Sequence, residues 1–384
     1  MKKQLIVALG LAVLATPAMA SKARLQALGE DTFGSFYIND NRNIFLNAAH
    51  VNNHKDLVTF ETGSNNSDAA VDSAADPRPE GGVFFGQGNL VYGLHLGNES
   101  ATSDTLRSWA GVETEQNNLD LFVGGDAGVK WGANLTYGHV TETATVNSSD
   151  VMRVRLGVIA GDIEGFANVS LKNEASDKNG NEVEGKLGYQ IGGSYAMNAY
   201  KFFAEYRSIK AEDKTANADA EIGLMRVGAG RTDKLNDKAT LFTKVEYSRN
   251  KGNIETGSGS CGGAVCNGTN TASYNGTPLT TGGEDLVATN LPIIIGLEYD
   301  AASWLAVRGS VSQSIFSDVS FKGSSNENLE NTTVVNLGST LKFGEMSIDG
   351  VIGNNTDVAS AASGTNGSLR TDNLMSRVSV SYNW

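Results

Sequence analysis

Apolar and polar side chains alternate with a period of two in segment after segment of this chain. In LVYGLHLG, Leu90, Tyr92, Leu94 and Leu96 share one face. In VKWGANLTYG, Val129, Trp131, Ala133, Leu135 and Tyr137 lie opposite Lys130 and Asn134. VMRVRLGVIA sets Met152, Val154, Leu156 and Val158 against Arg153, Arg155 and Gly157. The pattern recurs in GKLGYQIGGSY, AYKFFAEYRS, LFTKVEYS, SWLAVRGSVS, TVVNLGSTLKF and EMSIDGVIG, and LMSRVSVSYNW at 374–384 repeats it once more. Period two is the signature of an extended strand, whose successive side chains point to opposite sides of a sheet.

A soluble sandwich alternates as well, so the links between segments carry the decision. Very short links at 160–162, 197–198, 300–302 and 343–345 contrast with long polar ones at 98–116, 250–286, 315–331 and 354–371. Short turns at one rim and long loops at the other describe an outer-membrane barrel. Tyr137, Tyr195, Tyr247, Tyr299, Trp304, Tyr382 and Trp384 sit near segment ends, where interfacial girdles fall. Past residue 20 the longest apolar run, LPIIIGL at 291–297, is far short of the ~20 residues of a spanning helix. A chain that crosses lipid without such a helix must do so as a closed sheet, because bare backbone groups are not tolerated there.

The expected fold is therefore all-β: a transmembrane antiparallel β-barrel of the cell outer membrane, with short periplasmic turns and long extracellular loops. Spans are read near 54–61, 81–86, 89–97, 117–124, 129–141, 151–160, 163–172, 184–196, 199–209, 221–230, 239–249, 287–299, 302–314, 332–342, 345–354 and 372–384. That makes about 16, within a range of about 12 to 18, since 81–97 also reads as one strand interrupted by Gly86-Gln87-Gly88. Pro292 suits a bulge or a strand start better than a paired interior. MKKQLIVALGLAVLATPAMA at 1–20 has the form of a cleaved signal peptide. The division expected is 1–20 signal, 21–53 periplasmic or lumenal N-terminal segment, and 54–384 barrel.

Segment 21–53 lacks sustained alternation. Its NRNIFLNAA stretch carries an Asn-Ala-Ala similar to the Asn-Pro-Ala near the start of long-chain fatty-acid transporters, with Ala48 where that motif has Pro. The opening also resembles poorly characterised outer-membrane proteins of deltaproteobacteria of the Bdellovibrio type, and the whole pattern resembles a Gram-negative, porin-like barrel. The terminal Trp384 resembles the carboxyl-terminal signal read by the barrel-assembly machinery. These resemblances imply an outer-membrane barrel whose opening segment is a lumenal plug, a periplasmic tail or a simple lead-in.

Net charge is −13, which argues against nucleic acid as a partner. The face opposite the apolar one nevertheless leans basic. Lys130, Arg153, Arg155, Lys186, Lys201, Arg207, Lys244, Arg308, Lys342 and Arg377 are assigned inward, against Glu164, Glu205, Glu246, Glu298, Glu345 and Asp349. Two readings stay open: a wall that attracts small anions through a pore, or internal ion pairs that hold the barrel together. In the loop 250–286, Cys261 and Cys266 are the only cysteines, and an exported setting favours a disulfide between them. Two cysteines do not complete a metal shell. The acidic segments 64–80 and 325–332 are solvated loops or divalent-cation bridges to lipopolysaccharide; neither has calcium-loop spacing.

His50 and His54 stand four apart, but the zinc-protease Glu does not follow His50. No nucleophile elbow or nucleotide-binding loop occurs, leaving His95 and His139 as the only wall histidines to weigh. The expectation is a non-enzymatic channel without cofactor or metal, passing small hydrophilic solutes by diffusion with weak selectivity. Alternatives are a closed barrel with adhesive or structural loops, and a hydrophobic-ligand transporter with an N-terminal plug, which needs an apolar pocket near Ile44-Phe45-Leu46. Expected partners are outer-membrane lipid, lipopolysaccharide and the assembly machinery, with a homo-oligomer suggested by analogy to general porins alone.

Overall fold

Each alternating segment pairs with the next. In the computed structural model, which describes residues 21–64, 79–100, 118–142, 145–256, 286–321, 333–354 and 374–384 together with scattered positions between and within the loops, sixteen strands form one antiparallel sheet. They are β1 (Leu57–Ser64), β2 (Glu80–Gln87), β3 (Leu90–Leu96), β4 (Leu119–Asp126), β5 (Lys130–Thr141), β6 (Val146–Ala160), β7 (Ile163–Asp177) and β8 (Gly188–Met197). The second half comprises β9 (Tyr200–Asp213), β10 (Ala218–Lys234), β11 (Ala239–Thr256), β12 (Leu286–Ala302), β13 (Leu305–Phe321), β14 (Thr333–Phe343), β15 (Met346–Asn354) and β16 (Leu374–Asn383). A short piece, Glu182–Gly185, continues β8 outward. The expected signal peptide, Cys261 and Cys266, and most of the acidic segments lie outside the described residues.

β1 pairs with β2 on one side and with β16 on the other, Leu57 opposite Asn383 and Thr62 opposite Val378. The sheet is thus closed, as a membrane requires of strands. Short turns at one rim are made where a left-handed residue costs little: Gly161 and Gly344 both have φ +60°. The side chains of Leu94, Leu121, Leu156, Val158, Ile191, Val227, Val245, Ile295, Leu297 and Val311 are exposed on the outer face. Nearer the short-turn rim, Trp131, Tyr195, Tyr200, Tyr299, Trp304 and the stacked pair Tyr382 and Trp384 are exposed as well. An apolar outer band with an aromatic girdle is the lipid-facing surface of a multi-pass outer-membrane barrel, and this chain is one.

All sixteen spans are found, and their errors are instructive. Strands β6, β7, β11 and β13 run past their expected ends, to Val146, Asp177, Thr256 and Phe321. Beyond the lipid both faces are wet, so apolar alternation stops while ladder pairing continues. At Pro292 the β12–β13 register shifts by one residue, leaving Ile315 as the extra residue of a bulge. The first strand starts at Leu57, three residues later than read, because residues 54–56 still belong to the segment that precedes the barrel.

That segment lies inside the barrel. It contains helix α1 (Lys22–Ala27), capped by Ser21, and two 3-10 turns, Asn41–Phe45 and Ala48–Asn53, capped by Asp40 and Asn47. Ala23 and Ala27 pack on Val351; Leu25, Leu28 and Ile38 on Phe242; Phe36 and Leu46 on Phe166 and Phe203; Ile44, Phe45 and Val51 on Leu57, Phe84, Val91 and Phe122. Contacts of this kind on every side of the wall are those of a protein core, and the core of this barrel is built around residues 21–56.

Candidate functional site

The wall is shaped to receive the segment. Gly124, Gly132 and Gly157 are register partners in a row across β4, β5 and β6. A Cβ on Gly132 would lie 2.2 Å from the carbonyl oxygen of Ala48, and one on Gly157 would lie 1.8 Å from Asn47 Oδ1. On Gly124 it would lie 2.4 Å from a methyl of Val51. The row forms a flat floor on which the turn 48–53 rests, so the backbones approach as no other residue type permits. Asn52 Nδ2 donates to the Trp131 carbonyl at 2.8 Å, and Asn168 Nδ2 donates to the Leu46 carbonyl at 3.2 Å.

Charge does the rest. The inward Glu298 receives Arg24 at 2.9 Å and Arg308 at 3.0 Å, and Arg308 also reaches Asp349 at 2.8 Å. Lys244 meets Glu30 of the segment at 2.6 Å and Glu246 at 3.3 Å. His50 Nε2 stands 3.0 Å from Glu164, which also pairs with Lys201, and Lys130 donates to Asn53 at 2.7 Å. Arg155 binds Asp120 at 3.0 Å and donates to the Thr136 hydroxyl at 2.7 Å; Arg153 pairs with Glu115 of the β3–β4 loop. Glu205 holds Arg226 at 2.8 Å and Arg207 at 3.5 Å, while Lys342 pairs with Asp300 near the short-turn rim at 2.8 Å. Arg377 is buried on β16 in the field of Glu61 and Glu80. The structure thus joins most of the basic residues to carboxylates rather than exposing them along a bore.

Two expected positions are corrected. Lys186 is on the outer face, paired with Asp219 at 2.6 Å and Glu212 at 3.4 Å. The cause is a break in the strand: Val183 and Gln190 both face inward although their numbers differ in parity, so the alternation slips between Gly185 and Gly188. Glu345 is in the exposed turn after β14 rather than on the wall. The two wall histidines share no site either: His95 is buried inside, edge-on to Phe45 at 5.0 Å, whereas His139 is outside, 2.8 Å from Asp150.

Sequence reading missed Lys22, Arg24 and Arg42, which face Glu61, Glu80 and Glu298. The backbone N–H of Lys22 donates to Glu61 at 2.9 Å and its amine pairs with Glu80; Arg42 reaches Glu80 at 3.3 Å. Glu61 and Glu80 carry the inward parity of β1 and β2, but their partners sit on a stretch without periodicity, so no pattern linked them. Burial also perturbs groups of the segment. It pushes Asp40 up to about 7 against the pull of Arg24, and it holds His54 down at about 3, with His50 adding to the effect. Burial likewise raises Glu30 and lowers Lys22, in each case against an oppositely charged neighbour.

Between the segment and the β6–β10 wall a cavity of about 1050 Å³ remains, counting its solvent-filled mouth. Phe33, Phe45, Leu46, Ile209 and Leu224 supply apolar surface, and the polar lining is Asp31, Asn168, Gln190 and the guanidiniums of Arg153, Arg155, Arg207 and Arg226, which are paired with Glu115, Asp120 and Glu205. Arg155 also lies over the Phe45 ring at 5.7 Å, and Phe36 stacks on Phe203 at 4.6 Å just below Arg226. Such a site suits a small molecule with an apolar body and an electron-rich or acidic end.

No protein-family profile and no curated protein sequence matches this chain. Among solved structures it is similar to the Ralstonia pickettii toluene transporter TbuX, at 12% identity over 96% of this chain and 99% of that one, with a TM-score of 0.40. It is also similar to the Pseudomonas putida toluene transporter TodX, at 13% identity over 95% and 98%, TM-score 0.39. A third is OmpT, an outer membrane protein of Vibrio cholerae, at 13% identity over 85% and 95%, TM-score 0.39.

Proposed function

We propose that this protein is an outer-membrane transporter whose N-terminal segment closes the lumen, and whose mid-lumenal cavity takes a small, partly apolar solute with a polar or acidic end. The observation that carries the reading is the glycine row Gly124, Gly132 and Gly157. Three adjacent strands leave out their inward side chains where the segment lies, so its seat is written into the barrel. The cavity bounded by Phe45 and Leu46, lined by arginines as well as by apolar side chains, supports this reading, which asked for a pocket near Ile44-Phe45-Leu46.

A wide diffusion pore for hydrophilic solutes fits less well, because the inward arginines and lysines are engaged by carboxylates and residues 21–56 fill the space a solute would cross. The deciding experiment is single-channel conductance in a planar bilayer of the intact mature chain beside a variant lacking residues 21–56. Small or absent steps from the intact chain and large steps from the deletion support an occluded transporter. Large, steady steps from the intact chain would return the protein to the class of general diffusion channels.

A further inference from the structure

We infer that the outer face of β9–β11 carries a binding cleft for the phosphate of an outer-leaflet glycolipid of the lipopolysaccharide type. The cleft is legible in the register. Tyr206, Met225 and Arg249 are partners in one row across the three strands; Ser208, Gly223 and Lys251 form the next row outward; Lys210, Glu221 and Asn253 form the third. Tyr206, Met225 and Arg249 point away from the lumen and are exposed. Gly223 stands in the middle of the middle row and contributes no side chain, which leaves a depression of about 520 Å³ including its open mouth.

Its height in the membrane follows from the same rows. Toward the short-turn rim the outward positions are apolar, Val227 on β10 and Val245 on β11, and Tyr206 with Tyr189 and Tyr247 mark the upper edge of that band. Arg249 is one step beyond Tyr247, at the level of lipid headgroups, where an arginine escapes the ~2–4 kcal/mol it would cost at the midplane.

Charge then selects the occupant. The outward cations around the cleft are largely matched: Lys172 by Asp150 and Glu174, Lys186 by Asp219 and Glu212, Lys214 by Glu184 and Glu212. The nearest acid, Glu221, is held by Lys210 at 3.0 Å and Ser208 at 3.2 Å. Asp318 faces the same side two strands away, roughly 10 Å from the Arg249 row. Arg249 has no ion pair among the described residues. Its fork offers bidentate donors to a phosphate, Lys251 lines the same depression, and Met225 and Tyr206 below offer an apolar track for an acyl chain.

The test is lipid retention by the detergent-purified, folded protein in native mass spectrometry. Bis-phosphorylated lipid A, the same lipid dephosphorylated, and phosphatidylglycerol are offered in turn. Phosphorylated lipid A is expected to bind at least 10-fold more tightly than its dephosphorylated form, and Arg249→Gln with Lys251→Gln should remove that preference. Gly223→Leu should do the same by filling the cleft; its Cβ would meet nothing nearer than 3.9 Å, so the barrel should fold unchanged. Equal binding of both lipid A forms, or undiminished preference in the folded Gly223→Leu and Arg249→Gln variants, overturns the site. Equally tight, variant-sensitive binding of phosphatidylglycerol overturns the assignment to a glycolipid.

Discussion

Replacing Gly132 by valine tests whether the barrel itself seats the lumenal segment. The new Cβ would stand 2.2 Å from the Ala48 carbonyl oxygen, 2.4 Å from its carbon and 2.6 Å from the Ala49 nitrogen. Those neighbours are backbone, held by the Asn47 cap and by Asn52, and they fall more than about 1 Å short of ordinary contact. Overpacking of this kind costs about 1–3 kcal/mol, and the turn 48–53 can relieve it only by lifting away from β4–β6. The docking equilibrium should therefore weaken about 5- to 150-fold. The sheet should survive, because Gly132 pairs with Gly124 and Gly157 through backbone alone. Amide hydrogen exchange at residues 41–53 should rise by that factor, and bilayer recordings should gain large conductance steps. Ala133→Val, one residue along and facing lipid, is the control and should change neither. Unaltered exchange and conductance in a folded Gly132→Val protein would refute the argument that the glycine row is the seat.

Arg308→Leu leaves Glu298 and Asp349 without their shared cation, and removal of one partner from a buried ionic set costs about 3–5 kcal/mol; a refolding titration in urea should show the loss, and an unchanged midpoint would contradict the pairing. Arg207→Gln should alter uptake of an acidic solute in liposome swelling, whereas Lys186→Gln, on the outer face, should leave it as it was. Among the groups through which acid acts on docking, His54 and Asp40 have opposite signs. His54, held at about 3 when docked, binds its proton better undocked, so it loosens the segment as pH falls from about 6.5 toward 3; Asp40, raised to about 7 when docked, loosens it as pH rises from about 4 to 7. His54→Asn should therefore tighten continuously from pH 7 to 4 and Asp40→Asn should loosen below pH 6.5, read by exchange at residues 41–53; identical profiles in the two variants would sink the assignment.

The sequence by itself determined the barrel. Period-two alternation is local, since each strand must present one apolar face to lipid and one polar face to the lumen, and it located all sixteen strands and the inward place of Arg153, Arg155, Arg207, Lys244, Glu298 and Arg308. Parity misplaced Lys186, where the alternation slips at 185–188, and Glu345, which falls in the turn after β14. The tertiary structure decided what fills the lumen. Residues 21–56 have no period because they touch curved wall on several sides, so each apolar or charged position answers to a strand far away in sequence: Arg24 to Glu298, Glu30 to Lys244, Ala48 to Gly132. Whether a basic wall is a filter or a set of ion pairs depends on such partners. Alternation specifies which side of the sheet a residue faces, and only closure of the barrel around the segment specifies what it meets there.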